Sequence, residues 1–261
     1  MTGRERARLT WWSVVEEIRV WDRITHQRFA PGTYRWAVAL RNRVIIWLIL
    51  LTGTRLAELV RLRVSGAHAH VLRGADGRIE AITIPQPSNV RPYRTFPLQG
   101  FEALATLLDI YIQRARPLLL GDTPDSHGRL IIGSSGSPYT RSALVIVYAK
   151  LRREIFGPRH RVTLYELRRI TFLILHLGFR RPFFEVTRLA GWHPAHVLEN
   201  ADRFEEHGLG EVSLLTSDTA RPTPDGERVI AELCRWLGEA AQDLLRLEYF
   251  RGAPDPTDEA S

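Results

Sequence analysis

The chain has 261 residues, of which 44% are hydrophobic and 25% are charged, so it suits a folded domain and excludes a disordered chain. Its formal net charge is +7, and Lys150 is the only lysine among 36 lysines and arginines. An arginine-rich basic chain is typical of proteins with a polyanionic partner, because the planar guanidinium pairs with phosphate through two hydrogen bonds. Coding bias in a GC-rich genome is the alternative explanation for the arginines.

Few features of the chain bear on its compartment. Cys234 is the only cysteine, so no disulfide can form within the chain, and a reducing compartment fits. The arginines in residues 1–10 have no apolar run behind them, which argues against a signal peptide. The longest apolar run, residues 44–51, is far shorter than the ~20 residues that cross a bilayer. We therefore expect a cytoplasmic protein with no membrane partner.

The first part of the chain predicts helices followed by a small sheet. Helices are expected over residues 11–27 and 34–51, with a break at Thr52-Gly53 and a short helix that resumes near Arg55. Three short strands are then expected over residues 70–73, 78–84 and 93–98, joined by a Gly-Ala-Asp-Gly turn and a longer proline-rich connection.

The second part of the chain predicts mostly helices. They are expected over residues 101–114, 140–155, 163–177, 182–189 and 226–250, with a brief strand at 130–132 and a polar, acidic tail at 252–261. The expected fold class is mainly α with a small three-stranded antiparallel sheet, an α+β arrangement.

An arginine follows the break after the second predicted helix, in the segment Leu-Thr-Gly-Thr-Arg-Leu-Ala-Glu-Leu of residues 51–59. Arg55 starts the next helix, and Glu58 lies three residues on, where it can orient the guanidinium. An ordinary ion pair on a surface helix is the alternative interpretation.

Two later segments carry further polar and aromatic groups. Thr163 can cap a helix, on which Tyr165 and Arg168 lie one turn apart on the same face. A glycine turn then presents the indole of Trp192 and the imidazole of His193.

In this order and spacing, the segments resemble the catalytic domain of the tyrosine recombinases, the phage integrase family. The first arginine box of that family, roughly T-G-x-R-x-x-E-L, is matched by residues 52–59. The second box, H-x-L-R, is matched by residues 165–168 except at its first position, and the third, L-G-H or L-G-W, by residues 190–192. A strand ending in R-x-V-P-L is matched by residues 94–98, and the resemblance covers about residues 10–205.

The resemblance implies a covalent reaction on double-stranded DNA. In the family a tyrosine attacks the scissile phosphate and leaves a 3′-phosphotyrosyl link. Arg55 and Arg168 would cradle the non-bridging oxygens, Trp192 would donate to the same phosphate, and a hairpin lysine would protonate the leaving oxygen. No metal or cofactor is required. The residues expected to support the site are Glu58, Arg91, Arg94 and His193.

The chain departs from the family at three positions. No lysine occurs near Asn89, where the hairpin lysine is expected, and the neighbouring Arg91 is a poor proton donor. Tyr165 replaces the histidine of the second box, and a phenol is a weaker base than an imidazole at neutral pH. Nine residues beyond Trp192, the nucleophile position holds Ala201, which cannot attack phosphorus. A naturally decayed recombinase and an engineered Tyr→Ala form both explain this alanine, with natural decay favoured.

Two other groups of residues are possible sites. His193, His196 and His207 suggest a metal site only weakly, because their spacing is loose and no cysteine supports it. Tyr249 is a possible displaced nucleophile, but its place on the apolar flank of the last predicted helix favours a packing role. We therefore expect no bound metal.

The resemblance divides the chain into three parts and leaves three hypotheses for function. Residues 1–30 form a helical lead-in without a full core-binding domain, residues 31–210 the recombinase-like catalytic domain, and residues 211–261 a C-terminal helix and tail. The first hypothesis is a DNA-binding protein that takes part in recombination or integration of a mobile element but is unable to cleave. The second is an active site-specific recombinase with an engineered nucleophile position. The third is a non-catalytic module that binds recombinase subunits; a homo-oligomer on DNA is also expected.

Overall fold

The structure is a computed structural model that describes residues 11–66, 68–85, 94–125, 127–158 and 162–199, together with positions 231, 232, 235, 236, 238 and 239. In these parts the chain is mainly helical with one three-stranded antiparallel sheet. The helices are α1 (Trp11–Gln27), α2 (Tyr34–Thr52), α3 (Leu56–Leu59), α4 (Glu102–Ile110), α5 (Arg116–Leu120), α6 (Arg141–Phe156), α7 (Leu164–Leu173), α8 (Phe183–Ala190) and α9 (Pro194–Glu199). The strands are β1 (Val71–Arg73), β2 (Ile79–Ile84) and β3 (Arg94–Pro97).

Helix α2 runs through the centre of the core. The Thr33 side chain caps it by accepting a hydrogen bond from the Trp36 amide at 3.2 Å, and Gly53 ends it in the left-handed region at φ +64°. All residues from Val44 to Leu51 are fully buried, which explains a run that is apolar on every side. Helix α7 packs against α2, and the Thr171 hydroxyl donates to the Ile49 carbonyl at 3.0 Å.

The sheet lies in the order β1-β2-β3 and covers one side of this core. In register, Ile82 of β2 pairs with Val71 of β1 and with Phe96 of β3, and all three side chains are buried. At the far end of β2, Ile84 pairs with Arg94, so the first residue of β3 lies at the edge nearest α8, which contacts that strand. This register therefore places the buried Arg94 at the end of the sheet that faces the helices.

Helix α1, within the predicted lead-in of residues 1–30, shares the main core. Its apolar residues join the same buried cluster as α2. The buried Asp22 accepts from Arg43 at 2.7 Å and from the Trp47 indole at 2.9 Å, and Trp236 packs edge-on against Trp47 with ring centroids 5.0 Å apart. Helix α1 and Trp236 of the C-terminal region are therefore packed onto the same core as the central part.

The structure corrects several predicted elements. The strand expected at 130–132 is only a pair of isolated bridges, Arg63 with Arg129 and Ile132 with Pro138. The helix expected over 101–114 continues through a π-helical turn into α5, and the end of the helix over 163–177 is also π-helical. Helix α9 was not predicted. The ends of the helix expected over 226–250 lie outside the described residues, although the described positions from 231 to 239 are helical. None of the described helices is long and apolar enough to cross a membrane.

Candidate functional site: an arginine cluster at two glycine turns

The ends of α2 and α8 meet at two glycine turns. Gly191 ends α8 at φ +67°, and a Cβ there would lie 2.9 Å from Arg94 Nε. A Cβ on Gly53 would lie 3.3 Å from the Ala190 carbonyl oxygen. Both positions therefore need glycine for the backbone conformation and for the close approach. The C-terminal carbonyls of two helices, which carry partial negative charge, converge here.

Three guanidinium groups donate to these carbonyls. Arg94 donates to the carbonyls of Thr52 (2.9 Å) and Leu189, and Arg168 donates to those of Gly53 (2.8 Å) and Ala190 (3.2 Å). Arg55 donates to the carbonyl of Gly191 at 2.9 Å. We call Arg55, Arg94 and Arg168, with Glu58, the turn cluster.

Glu58 is the carboxylate that binds this cluster. Its Oε1 accepts from Arg55 Nη1 at 2.6 Å, and its Oε2 accepts from the Arg55 amide at 2.8 Å and from Arg94 Nη2 at 2.9 Å. The side chain is 0% exposed. Burial alone would raise the pKa of Glu58, but the charges of Arg94 and Arg55 and their hydrogen bonds lower it, so the carboxylate stays ionised.

The cluster has more positive than negative charge. Three guanidinium groups face one carboxylate, and two of them, Arg94 and Arg168, are buried. Burial lowers the pKa of Arg168, and the nearby charge of Arg55 lowers it further. Burial likewise lowers the pKa of Arg94, although Glu58 partly offsets this. Burial is thus the main cause of the lowered pKa of both arginines, and the charge of Arg55 adds to it.

Some donors of the cluster have no acceptor among the described residues. Arg94 makes hydrogen bonds through both terminal nitrogens, while its buried Nε has no partner among the described residues. Arg168 uses Nε and Nη2, and Arg55 uses Nη1 and Nη2, while no bond within the described parts of the chain involves Arg168 Nη1 or Arg55 Nε. Since Arg55 is 32% exposed, the cluster can still donate to an incoming anion.

An aromatic group lies beside the cluster. The Arg168 guanidinium lies 4.8 Å from the centroid of Trp192, and Tyr165 meets Trp192 edge-on with centroids 5.1 Å apart. His196 of α9 stacks on Trp192 at 5.5 Å, with 16° between the ring planes, and shares a 2.8 Å hydrogen bond with the Tyr165 hydroxyl. Arg169 lies over the other ring, 4.4 Å from the centroid of Tyr165. Cation–π contacts and stacking thus hold Arg168 beside the turn.

His196 belongs to the site, but the sequence analysis named it only as a weakly supported metal ligand. Its imidazole packs on Trp192 and bonds to Tyr165. Within the described ranges, no group of three or more His, Cys, Asp or Glu side chains is arranged to hold a metal ion, and His207 lies outside those ranges. The i,i+4 spacing from Trp192 to His196 was the available signal, but it depends on a helix that was not predicted.

The structure brings together six of the nine predicted site residues, namely Arg55, Glu58, Arg94, Tyr165, Arg168 and Trp192. His193 is exposed before α9, and its carbonyl accepts from the Val197 amide at 3.2 Å. Arg91 and Ala201 lie outside the described residues, as does Tyr249.

Comparison of the chain with known proteins found no match, either among protein-family models or among curated protein sequences.

Proposed function

We propose that the protein binds double-stranded DNA through a recombinase-like phosphate site and that it does not cleave the DNA, because the nucleophile position holds alanine. The observation that carries the proposal is the positive charge of the turn cluster, where three guanidinium groups face one carboxylate. A phosphodiester supplies the missing negative charge and accepts the spare donors.

The residues of the cluster have different roles in this proposal. Arg55 and Arg168 donate to the non-bridging oxygens of one phosphate, since each keeps a nitrogen without a described acceptor. Arg94 and Glu58 are positioning residues: Arg94 ties the two glycine turns together, and Glu58 orients Arg55. Trp192 supports Arg168 through the face of its ring. The order of these residues along the chain supports the likeness to recombinases.

The proposed lack of cleavage depends on the nucleophile position. Ala201 carries a methyl group, which has no nucleophilic oxygen. Water could attack in place of a tyrosine, but it lacks the positioning of a tethered nucleophile. We therefore assign the protein a role in DNA binding during recombination or integration of a mobile element, either as a homo-oligomer or beside other recombinase subunits.

DNA binding can be tested by fluorescence anisotropy with a labelled duplex at several salt concentrations. For Arg55→Gln/Arg168→Gln we expect weaker binding to all sequences alike, because phosphate contacts do not read bases. The slope of log affinity against log salt should fall by about 1.8 for the two lost contacts. Arg55→Gln alone should lower the slope by about 0.9. Because it changes a partly exposed side chain, this single variant keeps the test valid if the double variant does not fold.

The matched control is Arg23→Gln/Arg78→Gln, which removes two charges from side chains that are 60% and 88% exposed. We expect its affinity to stay within about twofold of the unchanged protein, because the two residues pair with Glu239 and Asp76 and make no described contact with the cluster. Affinity that does not change with salt, or an equal loss in the control, would contradict the proposal.

A further inference from the structure

A second group of basic residues lies where the chain leaves α3. Residues 62–64 pair with residues 128–130 through hydrogen bonds from the Val64 amide to the Gly128 carbonyl and from the Leu130 amide to the Leu62 carbonyl, both 2.8 Å. This pairing sets Arg63 directly opposite Arg129. Arg61 joins them, because Arg129 Nη1 donates to its carbonyl at 2.8 Å. We call Arg61, Arg63 and Arg129, with His68 and His70, the basic bridge.

The placement of Arg63 opposite Arg129 is unfavourable for folding. Residues directly opposite in an antiparallel pair have Cβ atoms about 4.5–5.5 Å apart, and like charges at that spacing destabilise the pair. Asp125, the carboxylate close to this segment in sequence, is engaged by Arg116 at 2.7 Å and by the Gly128 amide at 3.1 Å. Among the described residues no carboxylate forms an ion pair with Arg63 or Arg129.

The pKa of His70 is sensitive to the positive charge of the basic bridge. Its Nδ1 accepts from the Arg63 amide at 3.0 Å, so this nitrogen carries no proton, and its own amide donates to the Arg63 carbonyl at 2.9 Å. Burial lowers the pKa of His70, and the charges of Arg63, Arg129 and His68 lower it further. The pKa of Arg129 is lowered in the same way, by burial and by Arg63 and Arg61. Arg63 and Arg129 are thus two positive charges that lie opposite each other on a hydrogen-bonded backbone, without a described counter-charge.

We infer that the basic bridge is a second phosphate-binding site, which holds the backbone of the same DNA duplex a few nucleotides away from the turn cluster. The inference rests on the proposed function. Arg61 follows Arg55 by six residues, so only the short helix α3 and the turn after it separate the two sites along the chain. Because backbone hydrogen bonds fix the bridge, little ordering is needed when the phosphates arrive.

The test is Arg63→Gln/Arg129→Gln in the anisotropy assay, with Arg23→Gln/Arg78→Gln as the charge-matched control. We expect affinity to fall roughly tenfold and the salt slope to fall by about 1.8, with no change of slope in the control. Since the change removes a like-charge pair, the melting temperature should not fall, which separates lost binding from misfolding. A slope equal to that of the unchanged protein would overturn the inference and leave the proposed function in place. Absence of DNA binding by the unchanged protein would overturn both.

A second measurement follows the imidazole of His70 by NMR. Bound DNA phosphates should raise the pKa of His70 above its value in the free protein, because they offset the charges of Arg63 and Arg129. Inorganic phosphate at the same ionic strength is the comparison, and we expect it to raise this pKa much less. An equal rise with inorganic phosphate would show a small-anion site, and no rise with DNA would show that the duplex does not reach the bridge; either result would overturn the inference.

Discussion

Replacing Glu58 with glutamine removes the carboxylate that binds the turn cluster. We expect Glu58→Gln to lower the free energy of unfolding by about 3–5 kcal/mol, the usual effect of breaking a buried ion pair by neutralising one partner. The geometry supports a value in this range, because Glu58 is 0% exposed and Arg94, at 2.9 Å, is 5% exposed. For a protein of this size the melting temperature should fall by about 10 °C.

The chain offers a matched control for this change. Arg19 and Glu16 form an ion pair with the same spacing of three residues and the same 2.6 Å distance as Arg55 and Glu58, but Glu16 is 47% exposed. We expect Glu16→Gln to change the free energy of unfolding by less than about 0.5 kcal/mol, because water screens an exposed pair. The two substitutions therefore compare a buried carboxylate, which also accepts from Arg94 and the Arg55 amide, with an exposed carboxylate in a single described ion pair.

The pH dependence gives a second readout for Glu58. Since its pKa is lowered in the folded protein, its contribution to stability is complete above the ordinary glutamate pKa of about 4.3 and is lost as the pH falls through the lowered value. In urea titrations the free energy of unfolding of the unchanged protein should exceed that of Glu58→Gln by a constant amount above about pH 5. Below that pH the difference should become smaller. Equal stabilities for Glu58→Gln and Glu16→Gln at pH 7 would refute the assignment of Glu58 as the counter-charge.

Three other substitutions test the fold and the site. Asp22→Asn should lower the free energy of unfolding in urea by about 3 kcal/mol, because it leaves a buried arginine without its partner. Gly191→Ala should cost about 1–3 kcal/mol, since φ is positive at this residue and an added Cβ would lie within 3 Å of Arg94. Ala201→Tyr should form no covalent adduct with a nicked suicide duplex on a denaturing gel, because the hairpin lysine and second-box histidine are absent; an adduct would favour an engineered alanine.

Local sequence signals predicted most of the helices. The bounds of α1 and α2 agree closely with those expected, because Thr33 and Gly53 mark the two ends of α2 and each has a local mechanism. The apolar run at 130–132 was less informative, since its partners lie far away in sequence or across a tight turn. Single bridges formed there instead of a ladder, and periodicity does not distinguish the two.

The site was predictable only where its residues lie close in sequence. Spacing placed Glu58 beside Arg55 and Tyr165 one turn from Arg168, and the structure shows Glu58 buried, so the interpretation as a surface ion pair is wrong. The sharing of Glu58 with Arg94 depends on how the sheet meets α8, which no local pattern encodes. The same holds for the packing of His196 on Trp192, because α9 is short and weakly periodic.

The distribution of charge at the glycine turns favours ligand binding over a purely structural role. Arg94 and Arg168 each donate to carbonyls at the ends of both α2 and α8, so either arginine suffices to join the two turns. Arg55 and Arg168 bring two positive charges besides that of Arg94 to a single carboxylate, and burial of Arg168 without a carboxylate partner among the described residues opposes folding. An anion that bridges these two residues would remove that cost. The hydrogen bonds that build the cluster form in a chain with alanine at position 201, a side chain without polar atoms, so the proposed binding of a phosphate does not require the ability to cleave it.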